Sequence, residues 1–488
     1  MTPPTAFAGA WSAGPEVRRR LTALGPVLVD EGPLVVVGEA TRGTSGSVTA
    51  VLAGRVSDVS RLREASGPAP PADPAAMLAH TYARVGDAAL ATLRGEWAAI
   101  VWDAARGTLL IARDPLGGRS VHYASHGGGT VFGEDARDVL AALSATPGPD
   151  RRAVSSWVAY GVTPADGTLY AGVARLRNGA ALVLEHGPAQ TRALWAPPYR
   201  PPHPEAARPE RLRAAVDAAV ARAAPAPERV GVLLSGGLDS AIVAASARAL
   251  RPDGPVTAYS ATFPGDRDAD ESELIDVLTR RLGLDATRSI VDWGRPLLGG
   301  LRYLATWRVP STSPNTFLWL PLLTRAAEEG VEVMLDGQGG DELFDQRPFY
   351  LFADLVARGR PAAAWRLTLR YPGTRPGVAR RHRARVLAHF LRRGLTPLAV
   401  HRRLERRAAR RGPGLLRAAD ADAALAVLDQ WSWLRAEGPR WWAYRRNALV
   451  DVPDLLDVAG SLRRTARLAP VRDAHPLMLD QDLVEYAL

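Results

Sequence analysis

Six residues carry the clearest chemistry: Ser235-Gly236-Gly237-Leu238-Asp239-Ser240. They follow an apolar run at 229–234 and precede a run of small residues at 240–250, so the spacing predicts a strand-to-helix turn. Open α/β sheets bind ligands at such turns. Two glycines allow the backbone close to an anion, and successive N–H groups with the helix N-terminus then face phosphate. Ser235 and Ser240 add hydroxyl donors. Asp239 is out of place in a purely anionic pocket, and a bound Mg²⁺ accounts for it. No G-x-x-x-x-G-K-[ST] occurs, which excludes a Walker loop. A second cluster, Asp336-Gly337-Gln338-Gly339-Gly340-Asp341-Glu342-Leu343-Phe344, follows the apolar run 331–335. In a parallel sheet it emerges at the same edge, where Asp341 and Asp239 meet across one metal–pyrophosphate unit. Singly, each motif also reads as a Gly-rich turn with a capping residue. As a pair they are far more specific.

The elements that position these loops follow from periodicity. Apolar runs at 229–234, 256–262 and 331–335 alternate with helical patterns at 211–223, 240–250 and 271–282, which predicts a parallel sheet covered on both faces. Before them lies a strand-rich region. It has short strands at 26–30, 33–38 and 48–52, a helix over 75–95, a hairpin of 97–103 with 108–113, and a second hairpin of 121–123 with 130–132. An α+β layered domain is expected there. A proline-rich stretch, 196–209, separates the two regions. Residues 346–450 read as largely helical.

The chain has 488 residues, 47% of them hydrophobic, which suits two or three domains with ordinary cores. It has no cysteine, which excludes disulfides, thiolate metal sites and a cysteine nucleophile. The residues 1–14 lack signal-peptide character and no run approaches a membrane span, so a cytoplasmic protein is expected. All 61 basic residues are arginine, for a net charge of +10. Such a charge suits nucleic acid, membrane surfaces or acidic peptides, and also follows from a GC-rich coding sequence.

SGGLDS followed by G-x-GGDELF resembles the synthetase domain of the asparagine synthetase family, which are N-type ATP pyrophosphatases. Ala112-Arg113-Asp114-Pro115-Leu116-Gly117-Gly118-Arg119 with Val121-His122-Tyr123 resembles the R-D-P-L-G-x-R-P-L-Y-Y segment of that family's glutaminase-type N-terminal domain. Gly161 to Gly179 resembles the stretch that closes that domain. His475-Pro476-Leu477-Met478-Leu479-Asp480 with Leu483-Val484-Glu485 resembles its late P-F-L-D…L-V-E motif. The resemblance implies a mixed α/β and α+β chain. A glutaminase-like (Ntn-type) αββα domain would cover 1–195, a Pro-rich linker 196–210, and a parallel-sheet, adenine nucleotide α-hydrolase-like synthetase domain 211–488. It implies ATP and Mg²⁺ as cofactors and amide formation through an acyl-adenylate. Ser235, Gly236, Gly237, Asp239 and Ser240 would hold pyrophosphate, and Asp239 and Asp341 the Mg²⁺. Leu233, Ala261 and Gly337 stand where the family contacts adenosine, largely through backbone.

Departures from the pattern narrow the expectation. The N-terminal cysteine of glutamine-dependent members is missing, and Thr2-Pro3-Pro4 stands at that end. The N-terminal domain is therefore expected to be an inactive shell. Gln338 replaces the glutamate of asparagine synthetases and the tyrosine of β-lactam synthetases, and glutamine cannot act as a base. These changes resemble lasso-peptide macrolactam cyclases, which join a side-chain carboxylate of a precursor peptide to its own N-terminal amine. The expected partners are that peptide and the pathway's leader-peptidase and leader-recognition proteins. An asparagine- or β-lactam-type small-molecule synthetase and a non-catalytic scaffold are the alternatives. The family's tail carries a lysine that meets pyrophosphate. This chain has no lysine and ends at Leu488, so an extended form is expected to turn over faster. The twelve arginines from Arg380 to Arg411 read either as a solvated face or as a dock for an acidic peptide. Trp431, Trp433, Trp441 and Trp442 among arginines allow base stacking, although aromatic stripes at helical spacing more often form core. His122 and His126 are expected to be satisfied surface histidines.

Overall fold

The computed structural model describes residues 3–185, 189–201, 209–225, 228–290, 296–312, 316–344, 349–370, 379–411, 416–424, 438–451 and 453–488. Trp431, Trp433, Thr2 and residues 202–208 of the proline-rich stretch lie outside them.

The N-terminal part is a four-layer αββα sandwich. One antiparallel sheet runs in the order Ala174–Arg175, His122–His126, Gly129–Gly133, Phe7–Trp11, Leu34–Gly38, Val27–Glu31. The other runs Gln190–Ala193, Ala180–Leu184, Thr108–Arg113, Arg94–Asp103, Val48–Asp58, Thr41–Ser45. Alternation of side chains along each strand decides the layers. Phe7, Trp11, Val36, Val51, Ile100 and Ile111 meet between the sheets. Ala8, Ala10, Val35 and Val37 face outward onto Val17, Leu21 and Val139 of the helices Pro15–Thr22 and Ala136–Ala142. Ala50, Ala99 and Val101 face Leu62, Leu78 and Tyr82 on the opposite side.

The region 75–95 is not one helix. It divides into Pro74–Val85 and Ala88–Ala91, and the strand Arg94–Asp103 has already begun by its end. Gly86 causes the break. Its φ of +64° ends the first helix with a bond from its N–H to Tyr82 O.

The C-terminal part holds a five-stranded parallel sheet in the order Asp285–Ile290, Val256–Thr262, Val230–Leu233, Val333–Leu335, Arg472–Ala474. Val232, Ala258 and Leu335 pack on Val220 and Val243 of the helices Pro209–Ala223 and Leu238–Leu250. Leu233, Tyr259 and Met334 pack on Leu322, Leu323 and Ala326 of Thr316–Glu328. From Val230–Leu233 the chain winds outward to one edge, then returns to build the other side. The topological switch point therefore lies between Val230–Leu233 and Val333–Leu335, where the two Gly-rich loops emerge. Among the described residues no helix is long and apolar enough to cross a membrane.

The two parts share a buried ionic seam. Arg464 of the helix Pro453–Ala466 meets Asp135 at 2.7 Å, and Arg467 just beyond it reaches Asp135 at 3.0 Å and Glu134 at 3.3 Å. Arg463 donates to Gly118 O and to Ser120 Oγ. The 112–119 segment thus forms a turn on this seam: Asp114 accepts from the N–H groups of Leu116, Gly118 and Arg119, and Arg113 donates to Leu176 O and Gly117 O. His122 is not at the surface. It is 4% exposed and bonded through Nδ1 to Glu134 O, and burial together with the charge of Arg464 drives its pKa down to about 3. His126 is half-buried beside Ser144.

Candidate active site

The loop after Val230–Leu233 is built on its two serines. Ser240 Oγ accepts from Ser235 N at 3.2 Å, lies 3.0 Å from Ser235 Oγ, and donates toward Ser235 O and Gly237 O. Ser235 Oγ accepts from Gly237 N at 3.2 Å. These bonds curl the loop so that the helix Leu238–Leu250 starts beneath it, with Asp239 in its first turn. The N–H of Gly236 donates to the carboxylate of Glu271 at 3.1 Å. A carboxylate on this amide shows that it can hold an anion. Sequence reasoning passed over Glu271.

The second loop comes into direct contact with the first. A Cβ on Gly337 would lie 2.5 Å from Ser240 N and 2.7 Å from Asp239 C, and a Cβ on Gly340 would overlap the Asp239 carboxyl group. Glycine is required at both positions by this close approach. The contact brings Asp239 and Asp341 into electrostatic reach. The pKa of Asp239 is raised, first by burial and then by the negative charge of Asp341. Two carboxylates that repel each other are a hard-oxygen donor set for a divalent cation. Among the described residues no group of three or more His, Asp or Glu forms a complete metal cage. Two carboxylates fit Mg²⁺, which binds through one or two carboxylates plus substrate phosphates.

The remaining predicted residues fall around this pair. Leu233 and Ala261 come together in one apolar cluster with Trp319 and Leu320, which forms a wall beside the loops. Gln338 is half-buried, and its N–H donates to Asp336 Oδ1 at 3.1 Å.

A buried triad supports the second loop from below. His475 Nδ1 lies 2.8 Å from Asp336 Oδ2, and its Nε2 lies 2.9 Å from Asp473 Oδ2. Burial opposes a charge on this ring, but Asp336 and Asp473 together outweigh it and hold the pKa well above the ordinary histidine value. Burial likewise opposes the Asp473 carboxylate, and His475, Arg463 and Arg119 lower its pKa nonetheless. An imidazolium thus clamps the strand Arg472–Ala474 to the first residue of the loop that carries Asp341. Glu96 of the N-terminal sheet and His475 line a cavity of about 20 Å³ between the two parts, and the pKa of Glu96 is raised by burial. The spacing 336 to 475 carried no signal of the triad. Two aspartates and a histidine at strand ends in one parallel sheet were the only clue.

Trp442 is 2% exposed and packs with Tyr350 and Tyr199, and Trp441 packs partly buried against this cluster. These rings form core and are not a stacking platform.

Residues 211–488 match the family model for asparagine synthase, and residues 54–195 match that for a glutamine amidotransferase domain. The chain is 26% identical over 280 residues to a Mycobacterium tuberculosis protein that bears the name of a glutamine-hydrolysing asparagine synthetase, covering 55% of this chain and 42% of that protein. It is 25% identical over 298 residues to asparagine synthetase [glutamine-hydrolyzing] 3 of Bacillus subtilis, covering 57% and 48%. It is 26% identical over 285 residues to an amidase of Penicillium rubens, covering 54% and 41%. The chain therefore spans less than half the length of these curated relatives. With the synthase match running through both Gly-rich loops and the buried triad, this chain belongs to the asparagine synthase family.

Proposed function

We propose that the chain is an ATP-dependent, AMP-forming carbon–nitrogen ligase. It activates a side-chain carboxylate of a precursor peptide and closes the ring onto the peptide's N-terminal amine. The observation that carries the ligase reading is the contact of the two loops at the switch point, which brings Asp239 within electrostatic reach of Asp341.

In this reading the substrate carboxylate oxygen attacks the α-phosphorus of ATP, and the bond to the β-phosphate oxygen breaks. The loop of Ser235, Gly236, Gly237 and Ser240 holds the departing pyrophosphate, which takes the place of the Glu271 carboxylate on the Gly236 N–H. Asp239 and Asp341 would hold Mg²⁺, which would supply charge neutralisation at the phosphates. The amine nitrogen then attacks the acyl carbon, AMP leaves, and the amine's proton passes to solvent. Positioning and charge stabilisation supply the acceleration. The apolar wall of Leu233 and Ala261 suits an adenine ring. The N-terminal sandwich, with no cysteine, serves as a structural shell locked on by the Glu134–Asp135 seam.

The peptide as substrate rests on Gln338. A half-buried glutamine whose own N–H is tied to Asp336 offers no base for ammonia. The names of the relatives favour a second reading, a synthetase for a small acidic substrate such as aspartate. Mass spectrometry separates the two. A peptide with a free N-terminal amine and one internal aspartate or glutamate should lose one water in the presence of ATP, and a pre-acetylated peptide should not. Amidation of aspartate with no change in the peptide would favour the second reading.

A further inference from the structure

The positive charge of this chain is concentrated in one place. Residues 379–411 contain twelve arginines and one glutamate, a net of +11, against +10 for the whole chain. The other 455 residues therefore sum to −1. Coding bias decides that a basic residue is arginine, but it does not gather the charge into one segment.

This segment folds as two helices, Arg380–Leu395 and Leu398–Arg411. The first buries its apolar stripe: Phe390 stacks on Phe352 with centroids 5.3 Å apart, and Val386, Leu387 and Leu391 join the same cluster. That packing turns Arg380, Arg381, Arg385 and Arg392 to solvent, and Arg403 and Arg407 are exposed on the second helix. Arg383 on the first helix is used for folding, stacked over Trp365 at 4.2 Å and bonded to Thr368 Oγ1 at 2.9 Å. The exposed charges work against the helices that carry them. Arg380 and Arg381 stand in a first turn with no acidic residue, against the macrodipole. Arg381 with Arg385, and Arg403 with Arg407, are like-charged i,i+4 pairs. An anionic partner relieves both penalties.

The surface also adjoins the candidate site. The helix Phe349–Ala357 packs on Arg380–Leu395 and starts five residues after Phe344, the end of the second loop. Arg440 donates to Gly394 O at 2.9 Å, and Arg445 donates to Leu343 O, which ties the helix Arg380–Leu395 and the loop to one further helix.

We infer that the pair of arginine-rich helices is a docking surface for an acidic polypeptide segment, which, resting on the proposed reaction, is a stretch of the peptide substrate outside its reacting residues. Charge complementarity selects the acidic partner. Leu395, Val400 and Leu404, 44%, 45% and 52% exposed, lie among the arginines and suit aliphatic side chains between a peptide's carboxylates. Single-stranded nucleic acid calls for stacking rings, and the aromatic side chain at 390 is buried. A membrane surface calls for a broad free apolar face; the stripe of the first helix is covered by Phe352 and its neighbours, and Leu395, Val400 and Leu404 are single aliphatic side chains spaced among arginines.

The test is fluorescence anisotropy with the full chain and no ATP, using a labelled peptide of repeating Glu-Leu-Glu-Ala. Binding should weaken with added salt, and should fall roughly tenfold or more in the R381Q/R385Q/R403Q/R407Q variant. The same peptide with Gln for Glu should bind wild-type chain at least about tenfold more weakly, a comparison that needs no variant to fold. Equal binding of the Glu and Gln peptides, equal binding by the variant, or tighter binding of an oligonucleotide or of phosphatidylserine vesicles would overturn the inference. Because no turnover is involved, a chain that binds the acidic peptide yet forms no AMP would contradict only the proposed reaction.

Discussion

Replacing His475 with alanine is predicted to destabilise the chain by about 3–5 kcal/mol, the range for breaking a buried ion pair from one side. The ring is 4% exposed and bridges two carboxylates at 2.8 and 2.9 Å. Its removal leaves the buried Asp336 and the half-buried Asp473 without the group that bridges them. The pH dependence follows from the direction of the shifts. The folded pKa of His475 is raised, so its contribution is fully present below the unfolded value of about 6.5 and is lost as pH rises through the folded value. Asp473 is shifted down, so its contribution is present above about pH 4 and fades only in acid. Urea unfolding followed by tryptophan fluorescence should therefore show the largest gap between wild type and H475A near pH 6, and a smaller gap near pH 10. Adding D336N to H475A removes one orphaned charge and should recover about 1–2 kcal/mol, a coupling expected of groups in contact. A cost under about 1 kcal/mol at pH 6, or strict additivity in the double variant, would refute the clamp.

Three further outcomes follow. D239A and D341A should each abolish AMP formation while circular dichroism and melting temperature hold steady, because removing either carboxylate relieves repulsion between the two; retained turnover would sink the metal assignment. G340A should lower turnover by at least about tenfold, since its Cβ overlaps the Asp239 carboxyl group; turnover within about twofold of wild type would show that the loops can separate without loss. Asp138 is raised to about 7 by burial and by Asp135, so its neutral form favours the fold, and its own contribution is lost as pH rises from about 4 to 7. The melting temperature of D138N relative to wild type should therefore rise as pH goes from about 4 to 7, and a difference that does not change with pH would contradict the assignment.

Much of the fold was legible because side-chain periodicity decides which face of an element is buried. The runs at 229–234, 256–262 and 331–335 became adjacent parallel strands, and the hairpins at 97–113 and 121–132 paired as expected. The edge strand Asp285–Ile290 escaped notice because it alternates half-buried and exposed polar residues and gains its identity from pairing with Val256–Thr262. The helix Thr316–Glu328 contains Pro321, which reads locally as a breaker and is overridden by burial of Leu322, Leu323 and Ala326. His122 reads as a turn residue, yet pairing of its strand with Gly129–Gly133 draws it inward to Glu134 O. In the site, the loop residues were visible because glycines and carboxylates at a strand end have few uses. The supports were not: His475 and Glu271 act on partners 139 and 35 residues away, and only the sheet brings them together.

The central claim is that the paired loops at the switch point cleave ATP between its α- and β-phosphates. Phosphorus NMR of ATP and Mg²⁺ incubated with the chain and the acidic peptide addresses it most directly. The account predicts AMP and pyrophosphate in equal amounts, dependent on the peptide's carboxylate and absent with D239A. Release of ADP and inorganic phosphate, or AMP formation undiminished in D239A, would contradict it.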